Sequence, residues 1–99
     1  MTLKEVLERK IRGLGGEVLE DNPNLGVIRV QRGVSRYALA LDPHRDRAIV
    51  TEDDAFGHHL WDLGGHNAPT YWRAIEVPEG RPVAPPVWVL DAIEEWKAS

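Results

Sequence analysis

The sequence predicts an α+β domain: a two-layer sandwich of an antiparallel meander sheet of four to five strands, with N- and C-terminal helices packed on one face. Three observations predict it. Apolar residues recur at helical spacing at both ends of the chain. Between them lie short alternating runs punctuated by Asn-Pro, Gly and Asp-Pro turn signals. At 99 residues the chain has room for one modest core, so residues 1–99 are expected to form a single domain.

The first helix opens on Thr2 and Glu5, a T-x-x-E capping box. Leu3, Leu7, Ile11 and Leu14, with Val6 beside them, form its apolar stripe. Glu5 with Arg9 and Glu8 with Arg12 are favourable pairs on the wet side. Gly13, Gly15 and Gly16 end it. Glu17 to Glu20 reads as a short strand and Asp21-Asn22-Pro23-Asn24 as a turn.

Gly26 to Arg32 alternates, with Ile28 and Val30 on one face and Arg29 and Gln31 on the other. After a reversal at Gly33, Tyr37, Leu39 and Leu41 share one face, and Ala38 and Ala40 the opposite one. Alanines there imply close packing or a central strand. Asp42 to Asp46 turns the chain into a partner strand, Arg47 to Thr51.

Residues 53–67 fit a short helix capped by Asp53 or Asp54, with Phe56, Leu60 and Leu63 inward, although Gly57 opposes it. Thr70 to Val77 reads as a strand and Pro78-Glu79-Gly80 as a turn. Pro82, Pro85 and Pro86 make a stiff connector to the last helix, whose buried stripe is Val89, Leu90, Ile93 and Trp96. The second face of the sheet, bearing Arg and Gln, is left open to water or to a partner.

Composition restricts the function classes. Cysteine is absent, which removes disulfides, thiolate zinc sites and cysteine nucleophiles. The net charge of −4 argues against direct nucleic-acid binding, which needs clustered Lys/Arg. Residues 1–47 carry net +2 and residues 48–99 net −6. No apolar run reaches membrane-span length and the N-terminus is charged, so no membrane association and a cytoplasmic location are expected.

Candidate chemistry concentrates in residues 57–67, which hold three of the four histidines, one carboxylate and three glycines. On a helix, His58 and Asp62 would share a face, and His66 beyond two glycines would fold back to complete a three-ligand site for a divalent transition metal. The run Glu52-Asp53-Asp54 reads as a solvated turn rather than a cation site, since the alternation of a calcium loop is missing. Ser35 has no nucleophile elbow, and Gly13-Leu14-Gly15-Gly16 follows a helix instead of preceding one. The P-x-x-P core beginning at Pro82 is accounted for as a spacer.

No catalytic set is complete. The leading expectation is therefore a small non-enzymatic protein-binding module, without cofactor, that regulates or inhibits a larger protein. Its surface would be acidic and aromatic, formed by Trp61, Asp62, Tyr71, Trp72, Asp91, Glu94 and Glu95, and its partner would present a basic surface. The alternative is a metal-binding enzyme or sensor built on His58, Asp62 and His66.

Overall fold

A computed structural model describes residues 2–55, 57–64, 71–76 and 84–99. The elements run α1 (Leu3–Arg12), β1 (Glu17–Asn22), β2 (Val27–Arg32), β3 (Ser35–Leu41), β4 (Ala48–Asp54), β5 (Gly57–Leu63), β6 (Trp72–Glu76) and α2 (Val87–Ala98). The strands pair in chain order as a six-stranded antiparallel sheet, β1-β2-β3-β4-β5-β6. The α+β meander class stands, with more strands than the expected four or five.

The extra strand is β5, where the sequence suggests a short helix. Two periodicities compete there. Phe56, Leu60 and Leu63 fit a helix, while His59, Trp61 and Leu63 fit a strand. The strand prevails because β4 needs a hydrogen-bonded neighbour, and Ala48 to Asp54 pair residue by residue with Leu63 to Gly57. Strand β1 also runs further than expected, through Asp21 and Asn22, so the turn falls after Asn22. Phe56, the turn Pro78-Glu79-Gly80, Pro82, His66, and Thr70 and Val77 of the expected last strand lie outside the described residues.

One face of the sheet meets the helices. Ile28, Val30, Leu39, Ala48, Val50, Trp61 and Leu63 are buried there against Leu3, Val6, Leu7 and Ile11 of α1 and Trp88, Val89, Ala92 and Ile93 of α2. Leu90, expected in the α2 stripe, is only half-buried, and Trp88 and Ala92 take the inner positions. Tyr37 stands edge-on to Trp88 with centroids 5.9 Å apart. Tyr71 meets Trp96 in the same way at 4.9 Å. These two contacts hold opposite ends of α2 to the sheet layer, in the edge-to-face arrangement that aromatic quadrupoles favour. Arg9 and Lys10 of α1 both pair with Glu95 of α2.

The start of α1 is held from two directions. Thr2 Oγ1 accepts from the Glu5 N–H at 3.2 Å, as the capping box requires. Asp46, in the β3–β4 connection, accepts from the Leu3 and Lys4 N–H groups at 3.1 Å each. This second cap joins residues more than forty positions apart. Gly64 sits below the same connection with φ +85°, and a Cβ there would lie 2.5 Å from the Asp46 carbonyl oxygen. Only glycine combines that dihedral with that approach.

Candidate functional site

The histidines and carboxylates described at 52–62 are carried by the β4–β5 hairpin, and the period of two divides them between the faces. Glu52 lies opposite His59, and Asp53 opposite His58. The three-carboxylate run is therefore not a turn. It is the end of β4, with Glu52 and Asp54 toward the helices and Asp53 away from them.

On the helix side, the His59 side chain is 6% exposed and its Nε2 lies 3.3 Å from Asp54 Oδ1. Its ring runs parallel to that of Trp61, two residues along the same face, with centroids 5.8 Å apart. Glu52, Asp54 and His59 each bring one donor atom to within 4.8 Å of the others. Tyr37, opposite Glu52 on β3, closes the side toward Trp88. Burial, and after it the Glu52 carboxylate, raise the Tyr37 phenol above its ordinary pKa. Among the described residues, His59 Nδ1 and Trp88 Nε1 in this layer are buried without a hydrogen-bond partner.

The open side reads as three rows across the strands. Val27, Ala40, Ile49, Asp62 and Arg73 make one, Arg29, Ala38, Thr51 and Leu60 the second, and Gln31, Arg36, Asp53 and His58 the third. Asp62 is buried, and its Oδ2 accepts from Arg47 at 2.7 Å and Arg73 at 3.4 Å. His58 pairs with Asp53 in an exposed contact. Two hollows open on this face. One, of about 380 Å³, lies among Leu19, Val27, Arg29, Arg36, Ala38 and Ala40; the other, of about 340 Å³, among Ala40, Pro43, Arg47, Ile49 and Asp62.

The residues singled out in the sequence are dispersed. His58 and Asp62 do share a face, but that of a strand, where four residues span roughly 13 Å. They cannot hold one ion between them, and Asp62 already faces two arginines. His66 lies outside the described residues. Trp61 is fully buried and Asp62 is 3% exposed, so neither is offered to a partner.

Tyr71 and Trp72 are half-buried, and Lys97 sits 4.9 Å over the Tyr71 ring. Asp91 and Glu94 are exposed on α2, while Glu95 is turned to α1. The trio Glu52, Asp54 and His59 is a cluster that only the strand pairing assembles. Its signal was present, because alternation along a hairpin puts Glu52, Asp54 and His59 on one side.

No protein-family model, curated protein or solved structure matches this chain. The geometry alone carries the functional argument.

Proposed function

We propose that this chain is a small non-enzymatic binding module that regulates or inhibits a larger protein, and that it docks through the open face of its sheet. The observation that supports the reading is an inverted pattern on that face. An antiparallel sheet with one solvated face ordinarily places polar side chains outward. Here the outward centre is Val27, Ala38, Ala40, Ile49 and Leu60 with one polar residue, Thr51, and the charged groups Arg29, Arg36, Arg73, Asp53 and the buried Asp62 stand around it.

Leu19 on β1 and Ile75 on β6, 45% and 51% exposed, extend the apolar band toward both edge strands. No described element covers this band. An apolar floor with a charged rim is the anatomy of a recognition surface. Ala38 and Ala40 keep the floor shallow enough for a partner's side chains to enter the hollows.

The partner favoured by this surface is a protein that sets acidic groups around an apolar contact. Arg73 is 68% exposed at its side chain, and Arg36 makes no ion pair among the described residues. Both are placed to receive carboxylates at the rim. This moves the docking surface from the acidic α2 side to the opposite layer. Two aromatic and acidic anchors expected there, Trp61 and Asp62, are spent inside the fold.

The test is a quantitative pull-down from the native host with three full-length baits: wild type, Ala40→Arg and Glu94→Lys. Proteins retained by wild type and by Glu94→Lys but lost with Ala40→Arg are the expected result. A captured set lost only with Glu94→Lys would return the interface to the acidic helix and overturn the open-face reading. An unchanged set with all baits overturns it equally. Circular dichroism on each bait establishes that the fold is retained.

A further inference from the structure

We propose that Glu52, Asp54 and His59, at the tip end of the β4–β5 hairpin on the helix-covered face, bind a divalent first-row transition metal of the zinc type. Two carboxylates and an imidazole converge there, with donor atoms within 4.8 Å of one another. Ligands around such an ion stand roughly 3–3.5 Å apart, given bonds of about 2.0–2.2 Å. Small rotations of Glu52 and Asp54 close the remaining gap, and both are partly accessible, so an ion has a path to the site.

The independent sign is His59 itself. Its side chain is 6% exposed, one ring nitrogen faces Asp54, and Nδ1 has no hydrogen-bond partner among the described residues. A buried imidazole nitrogen without a partner is uncommon, because an unmade hydrogen bond in the interior costs roughly 1–3 kcal/mol. Nε2 is the nitrogen turned toward Asp54 and would be the donor to an ion between the carboxylates, and the ring runs parallel to that of Trp61 with centroids 5.8 Å apart. A buried imidazole beside two carboxylates is a donor set that suits first-row transition metals.

The chemistry of the donor set selects the ion. Two carboxylates neutralise a 2+ charge, and the imidazole favours zinc, cobalt or iron over the hard cations magnesium and calcium. Among the described residues no lysine or arginine pairs with Glu52. Three protein ligands leave one position open. This assignment does not rest on the docking reading, because it concerns the other face of the sheet.

The test uses the chelator-treated full-length protein. Titration with zinc chloride, followed by calorimetry, is expected to show one saturable site. Cobalt chloride is expected to give visible d–d absorption and to quench tryptophan emission, since Trp61 lies along the His59 ring. His59→Gln and Asp54→Asn should each weaken zinc by at least about 10-fold, and Glu52→Gln provides a second set of measurements if either fails to fold. His58→Gln and Asp53→Asn, their neighbours on the opposite face, should leave binding unchanged. Absence of saturable binding at millimolar zinc overturns the proposal. So does a loss caused by His58→Gln or Asp62→Asn as large as that caused by His59→Gln.

Discussion

Two His–Asp pairs sit side by side on one hairpin, and they differ in almost everything but composition. His58 with Asp53 lies on the open face, both side chains about half exposed. His59 with Asp54 lies one residue along each strand, on the covered face, with side-chain exposures of 6% and 18%. The first is an exposed surface contact of the kind that contributes little. The second is stacked on a core tryptophan and, among the described residues, leaves a ring nitrogen unpartnered. The comparison teaches that a one-residue step along a strand, by reversing the face, changes the dielectric and the available partners of the same two side chains.

The sharpest way to break the comparison is to remove the rings behind each face. Trp61→Ala takes a fully buried indole from the core and from the His59 ring, and is expected to cost about 3–5 kcal/mol of unfolding free energy. Leu60→Ala, one position away on the open face, should cost well under half of that. Urea denaturation of both variants measures the contrast. Equal losses would mean that the open face is covered in solution.

Next in size are the histidines themselves. His59→Ala removes a buried, packed ring and is expected to destabilise by about 1–3 kcal/mol. His58→Ala is expected to stay within about 0.5 kcal/mol, as surface substitutions usually do. Thermal melts in chelator decide between them, and a larger effect at His58 would reverse the ranking of the two pairs.

Acid sensitivity sharpens the contrast from outside the hairpin. Arg9 and then Lys10 hold the Glu95 carboxyl below its usual range. Arg12 does the same for Asp21, and the His44 backbone N–H for Asp42. A carboxylate depressed in the folded state contributes stability that is complete above its unfolded value and is lost as pH falls through the folded one. Stability should therefore drop on acidification below about pH 4, and Glu95→Gln should flatten part of that limb. The smallest effect expected is that of salt: 1 M sodium chloride should erase whatever difference remains between wild type and His58→Ala in melts.

Much of the fold was legible because it depends on local pattern. Thr2 and Glu5 announced α1, and its stripe of Leu3, Val6, Leu7 and Ile11 is the buried face. The alternation of Ile28 and Val30 with Arg29 and Gln31 gives the same inner face as the structure. The 57–63 segment was not legible as a strand, since its apolar residues satisfy both periods and only the pairing of β4 decides between them. That misreading carried the candidate site with it. A helix brings His58 and Asp62 together, whereas a strand separates them and brings His59 to Glu52 instead. Asp46 as a cap for α1 had no local signal at all, because the partners are distant in sequence.

The sequence by itself determined the two terminal helices, the inner faces of the central strands, the turns that force a meander, and the lack of cysteine. These follow from side-chain period and backbone preference, which act over a few residues. The tertiary structure alone decided which histidine is buried, which carboxylates surround it, and that an apolar band lies on the far side of the sheet, uncovered by the described elements. Those are properties of where the two helices land and of which strand lies beside which, and a single shift in pairing would exchange them all.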